Sequence, residues 1–314
     1  MKLSLFDTHC DTAYELYHRS AHLPSNDCHV SLERAACYER YAQYYAIWSN
    51  RRLDDEACWQ DFLKISDYFN RELAEASDQA TRVTCPDDLK RAVAEGKHAA
   101  MLAVEDARLI AGKIERLDEL KARGVCYLTL LWGGDTCIGG SHNTANGLTE
   151  LGKQVVRGCF ERGMIPDISH ASVASVDDLL PIAYEYRKPF IATHSNSYSV
   201  YSHTRNLQDR HFAAIRELGG IVGVSLCPSH LTDTSIRPAT AEDIFAHVDY
   251  YLSLGGEDIV GFGADWDGTD LPDGFAHVGG LTSVAEVMAK HNYTDELIHK
   301  LFWDNFYQFA IHNL

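Results

Sequence analysis

Near the start of the chain, in Phe6-Asp7-Thr8-His9-Cys10-Asp11, a histidine and an aspartate stand two residues apart at the end of the first apolar run, Leu3 to Phe6. That run reads as a strand. Side chains alternate along a strand, so His9 and Asp11 project to one side and Cys10 to the other. An imidazole nitrogen beside a carboxylate oxygen is half of a site for a hard-to-borderline metal ion. Taken alone, the pair fits a hydrogen-bonded polar cluster equally well. The same chemistry recurs further on, however, in Glu105, His170, His194 and Asp265, each at or just past the end of a short apolar run.

The runs that deliver these residues are Tyr41 to Trp48, Ala99 to Val104, Val125 to Leu131, Ile165 to Ile168, Pro189 to Thr193, Gly220 to Leu226 and Ile259 to Ala264. With the first, they make eight strand-like segments. Between them, helical spacing of apolar residues marks Asp54 to Ala76, Pro86 to about Gly96, Ile114 to Arg123, Thr149 to Arg162, Val173 to Tyr186, Asp209 to Leu218 and Ala241 to Leu254, and Thr294 to His312 closes the chain. Tyr14 to Ala36 is polar, contains Pro24-Ser25-Asn26 and reads as irregular. Strands alternating with helices imply a parallel sheet. Eight such units in 314 residues, with no linker-like break, predict an α/β fold of the (β/α)8 TIM-barrel type occupying residues 1–314 as a single domain. The competing open doubly wound sheet usually carries a glycine-rich phosphate turn after its first strand, and none is present.

Barrel enzymes assemble their sites from the C-terminal ends of different strands. Each candidate has a plain structural alternative: His170 as a helix cap, His194 bonded to a carbonyl, Glu105 as a solvated carboxylate. Several landing independently on one rim favour a shared site. The set suits two cations, with His170 and His194 on one, His9 and Asp11 on the other, and Glu105 as the bridging carboxylate. Two zinc ions sharing a hydroxide would attack an amide or ester carbonyl. Asp265 would then move a proton from water to the leaving amine.

These stretches resemble the membrane dipeptidase (renal dipeptidase-like) family of zinc peptidases, barrel members of the amidohydrolase superfamily. The resemblance rests on Asp7-Thr8-His9-Cys10-Asp11, Val104-Glu105, Tyr127-Leu128-Thr129-Leu130, Asp167-Ile168-Ser169-His170, Thr193-His194-Ser195, Ser199 to Leu207 and Gly261 to Gly268, in family order along nearly the whole chain. It implies two zinc ions per chain, held by His9, Asp11, Glu105, His170 and His194, with Asp265 in proton transfer. It implies further that Arg205, eleven residues after His194, holds the substrate's terminal carboxylate. A guanidinium fork matches a carboxylate with two hydrogen bonds.

The chain departs from the family pattern in two places. Trp132 stands where the family usually carries a carbonyl-polarising histidine; an indole N–H donates a hydrogen bond but never becomes cationic. His142, further along the same loop, is the candidate replacement. Asp106-Ala107 follow Glu105 where glycines are more usual, which predicts a narrower pocket or one of altered charge.

Composition narrows the function classes. Hydrophobic content of 46% and charged content of 23% are those of a globular protein, and 28 basic against 45 acidic residues give a net charge of −17. That balance argues against nucleic acid or an anionic membrane as partner. No apolar run approaches a membrane span, the motif follows Met1 to Phe6 too closely for a secretory leader, and nine scattered cysteines form no C-x-x-C pair. A cytoplasmic location is expected. The leading expectation is a binuclear zinc hydrolase cleaving dipeptides or related N-acyl amino acids, with homodimerisation as a weak family-based expectation. The alternatives are an amidohydrolase acting on another small carboxylate-bearing amide or lactone, and a binding protein weakened in catalysis by Trp132.

Overall fold

The computed structural model describes residues 2–314. Eight strands form one parallel sheet: β1 (Leu5–Cys10), β2 (Tyr41–Trp48), β3 (Ala80–Val83), β4 (His98–Glu105), β5 (Val125–Thr129), β6 (Ile165–Asp167), β7 (Val222–Val224) and β8 (Val260–Phe262). The hydrogen-bonded order is β6-β5-β4-β2-β1-β8-β7, with β3 beside β4. Strands packed on both faces need apolar side chains throughout. Accordingly β1 and β4 are buried at every position, and β2 at all but Trp48.

The ring closes through residues 190–193. Ile191 bridges Asp167 on one side and Ala192 bridges Val222 on the other, both in parallel. The expected strand there is thus reduced to single bridges on each flank, yet it fills the sixth stave between β6 and β7. β3 was not foreseen. It pairs with the first half of β4, His98 to Met101, on the edge that β5 takes over from Leu102 onward, and so lies outside the eight-stave ring.

Helices separate most of the staves. The two longest that the spacing marks out, Asp55–Glu75 and Val173–Tyr186, are capped by Asp54 and Ser172, whose side chains accept hydrogen bonds from Ala57 N and Ser175 N. Such caps satisfy amide groups that the first turn leaves without partners. The supposed irregular stretch after Tyr14 is a correction: Thr12–Arg19 and Leu32–Ala35 are helical. Thr12, Ala13 and Leu16 bury one face of the first, an amphipathic pattern too short to stand out among its polar neighbours. The closing helix is interrupted by a π-helical segment, Lys300–Asp304.

Candidate metal centre and pocket

All the expected ligand positions converge at the C-terminal mouth of the ring. Glu105 ends β4 and lies between two pairs. Its Oε1 is 2.9 Å from His170 Nε2 and 3.3 Å from His194 Nε2, while its Oε2 is 3.7 Å from His9 Nε2. His9 Nε2 is in turn 3.7 Å from Asp11 Oδ2 and 3.8 Å from Asp265 Oδ1. His170 and His194 bring their Nε2 atoms within 2.9 Å of each other.

The surroundings fix which nitrogen of His9 faces inward. Tyr127 Oη donates its one proton to the Thr8 carbonyl at 2.9 Å, so it accepts from His9 Nδ1, also at 2.9 Å. That arrangement turns His9 Nε2 into the cluster, where it is buried with no hydrogen-bond partner among the described residues. Outer partners of this kind orient a histidine for metal binding. Thr193 Oγ1 lies 2.8 Å from His194 Nδ1 and serves that ring likewise.

The residues fit a cation. Asp11 Oδ1 and Glu105 Oε1 are also buried without hydrogen-bond partners among the described residues, and unpaired buried polar atoms are costly. His9, Glu105 and His194 form one group able to hold an ion, and His9, Asp11 and Asp265 another. Burial pushes the Glu105 and Asp265 carboxyls up, and the Asp11 charge adds to that. Burial and the nearby Arg205 hold His170 and His194 well below the usual imidazole range, so both rings present lone pairs. Three crowded carboxylates and three imidazoles are balanced best by bound divalent cations, at N and O donors suited to zinc.

Two aspartates not singled out as site residues carry this mouth from below. Asp7 accepts hydrogen bonds from His9 N (2.9 Å), Gln43 Nε2 (3.1 Å), Ala264 N and Trp266 Nε1 (3.2 Å to each). Asp167 does the same for Thr129 Oγ1 (2.6 Å), Thr193 Oγ1 (2.7 Å), Ser169 N and Thr193 N (3.0 Å to each). Asp7 ties the backbone of His9 to neighbouring staves, and Asp167 ties together the residues just before His170 and His194. The signal was present as an Asp two or three residues before a His at a strand end. His170 and Asp265 have left-handed backbones, at φ 70° and 66°, a conformation uncommon outside glycine and frequent at functional sites. A Cβ at Gly268 would collide with carboxylate oxygens of both Asp11 and Asp265, so a larger residue there would displace both carboxylates.

The centre opens into a cavity of about 390 Å³ that includes Asp11, Glu105, Trp132, His142, His170, Arg205 and Asp265 among its walls. Arg205 is 4% exposed; its Nη1 donates to Ser195 Oγ at 3.3 Å, while Nε and Nη2 have no partner among the described residues. Trp132 and His142 flank His170, with ring centres 5.9 and 6.0 Å from it. His142 Nδ1 lies 3.3 Å from Thr204 Oγ1, and burial, reinforced by Arg205 and His203, pulls its pKa down to about 4. The expectation that Asp106 narrows the pocket is corrected. Asp106 is buried behind the wall, where it accepts hydrogen bonds from Arg108 N at 2.9 Å and Trp132 N at 3.1 Å. It holds the tryptophan's backbone and does not line this cavity.

A parallel barrel with histidines and carboxylates gathered at its C-terminal mouth defines a metal-dependent hydrolase. The profile of the membrane dipeptidase family (peptidase family M19) matches residues 1–310, and the chain belongs to that family. A relative from Klebsiella pneumoniae, an uncharacterized protein in the pqqA 5′ region, is 32% identical over 222 residues, 67% of this chain and 81% of its own length. The solved structure of dipeptidase AC, a family M19 metallopeptidase, is 26% identical, with a TM-score of 0.91 over 100% of this chain and 99% of that one. A Rhodobacter sphaeroides metallopeptidase, solved with a phosphinate mimic of the dipeptide L-Ala-D-Ala, is 25% identical, with a TM-score of 0.90 over the same shares. Among the described residues no helix is long and apolar enough to cross a membrane.

Proposed function

We propose that the protein is a binuclear zinc dipeptidase. The observation that carries this reading is Glu105, whose two oxygens face different ligand pairs, Oε1 toward His170 and His194 and Oε2 toward His9. His9 and Asp11 would hold one zinc, His170 and His194 the second, with Glu105 shared. Bound there, the ions would supply an activated water and polarise the scissile carbonyl.

The protein's own groups do the rest. The free fork of Arg205 receives the substrate's terminal carboxylate, which limits substrates to short chains with a free C-terminus. Asp265, beside His9, takes a proton from the attacking water and delivers it to the leaving amine. His142 stands in for the histidine that Trp132 replaces. It is neutral near pH 7 because its pKa is pulled down to about 4, and its Nε2 forms no hydrogen bond among the described residues. A neutral imidazole can donate N–H to a developing oxyanion. The phosphinate dipeptide mimic held by the Rhodobacter relative supports a dipeptide as substrate. Nine cysteines, none in a disulfide, support a reducing compartment, the cytoplasm.

The test is metal content of the purified protein together with hydrolysis of a dipeptide panel that includes L,D pairs. Close to two zinc equivalents with turnover on part of the panel is expected. Two equivalents with no turnover on any member would move the substrate to another small carboxylate-bearing amide or lactone.

A further inference from the structure

One wall of the cavity has, beyond His170, no use in the chemistry above. Tyr14, Trp48, Trp132 and His170 form a continuous aromatic surface, with successive ring centres 5.6, 5.1 and 5.9 Å apart, running outward from the ligand cluster. The Arg51 guanidinium lies over the Trp132 ring, 5.4 Å from the centroid. The glycine loop after Trp132 lies against it. A Cβ on Gly133 or Gly134 would stand 3.4 or 3.5 Å from the Arg51 guanidinium nitrogens, and Gly134, at φ 73°, needs to be glycine in any case. Arg51 is therefore seated on an aromatic face and a bare stretch of chain.

The cavity's charges are otherwise spoken for. Glu15 pairs with Arg19 at 2.6 Å, and Asp267 accepts from Thr12 Oγ1 at 2.5 Å and His29 N at 2.7 Å. Arg205 faces the reacting centre. Arg51 lines the same cavity and, among the described residues, forms no ion pair and no side-chain hydrogen bond. Its place in the ring matters too. Arg51 follows β2, the second stave, and Arg205 follows residues 190–193, the sixth, so the loops that carry the two cations leave an eight-stave ring on opposite sides. The ligand cluster lies between them.

We propose that Trp132, Trp48 and Arg51 form the subsite for the side chain of the substrate's amino-terminal residue, and that it selects an acidic one. This rests on the dipeptidase reading. A substrate anchored at Arg205 by its terminal carboxylate and laid across the cluster extends its amino-terminal residue toward Arg51. There a glutamate or aspartate side chain rests its methylenes on the indoles and pairs its carboxylate with the guanidinium. Trp132 thus trades a catalytic donor for a selective wall.

The test compares hydrolysis-resistant phosphinate mimics of Glu-Ala and Gln-Ala, which differ by charge at equal size, binding to zinc-loaded wild type and R51Q. Binding is read by quenching of tryptophan fluorescence. The Glu mimic is expected to bind wild type about tenfold more tightly or better, with the ratio falling to about one in R51Q. Equal binding of both by wild type, a ratio that survives in R51Q, or no binding of either mimic would overturn the subsite. Turnover of Glu-Ala and Gln-Ala themselves is measured alongside. A charge-selective protein that hydrolyses neither of these nor any member of the dipeptide panel keeps the subsite and defeats the dipeptidase reading; one that hydrolyses both with equal kcat/KM defeats the subsite and leaves that reading standing.

Discussion

His9 and Asp265 lie 3.8 Å apart and are asked to do different things, which separates them experimentally. His9→Asn removes a ligand already oriented by Tyr127, so the protein should lose at least one zinc equivalent and fall to background turnover. Asp265→Asn keeps the shape of the site and removes only the proton acceptor. It should retain its metal and lose about 10²–10⁴ in kcat. Metal analysis and kinetics on the same preparations check both, and near-normal turnover by Asp265→Asn would defeat the proton-transfer assignment. His142 is tested by a second pair. His142→Ala should lower kcat by about 10²–10³, and adding Trp132→His to that variant should restore part of it, since both rings flank His170 at about 6 Å. A kcat untouched by His142→Ala would remove it from the chemistry. The ligand residues were legible in sequence because each ends an apolar run. The burdens of Asp7 and Asp167 were not, since their partners Gln43, Trp266, Thr129 and Thr193 come close only once the staves are side by side.

Among the elements, the long capped helices were legible because period and cap agree, as in Asp55–Glu75 after Asp54. β3 was not, because its four residues, Ala-Thr-Arg-Val, show no alternation and pair only with the start of β4. Close approach between staves is equally invisible in a sequence. At Gly263, just past β8, a Cβ would collide with the Thr193 carbonyl, which already accepts from Thr8 Oγ1 at 2.6 Å. Thr193 precedes His194, so crowding here displaces a ligand. Gly263→Ala should therefore cost about 1–3 kcal/mol and also lower zinc content. Gly96→Ala is the control: a Cβ there meets nothing within 4 Å, but the φ of 66° is unfavourable for alanine. It should destabilise by about 1 kcal/mol with full zinc retained. Thermal unfolding and metal analysis of the two variants distinguish them; full zinc in Gly263→Ala would mean that the mouth absorbs the methyl without moving His194.

Over the whole molecule, a net charge of −17 surrounds a cavity whose walls carry five carboxylates and two arginines, so a substrate carboxylate is attracted by Arg51 and Arg205 at short range and not by the overall field. Buried histidines set one part of the pH response, buried carboxyls another. His98 sits at the start of β4 against the Tyr45 hydroxyl at 2.9 Å, and burial pulls its pKa down to about 3. His247 accepts from Ser197 N and reaches the Leu231 carbonyl, at 3.0 Å each, and burial pulls it down to about 4. Both are neutral in the fold and titrate near 6.5 once unfolded. Their contribution is complete above pH 6.5 and is lost as pH falls toward the folded values, because the unfolded chain takes up protons the native state refuses. Asp7 and Asp106 act in the opposite sense. Burial pushes them up to about 6 and about 7, so stability falls as pH rises toward those values. The two trends overlap between about pH 4 and 6.5, and the wild-type profile alone does not separate them. A difference measurement does. Replacing His247 by Gln removes its proton from both states, so the stability gap between wild type and His247→Gln should shrink by about 2 kcal/mol on going from pH 7.5 to pH 5. Urea unfolding of the two proteins at both pH values reads that gap directly, and a gap that stays constant would show that His247 takes up its proton as readily in the fold as out of it.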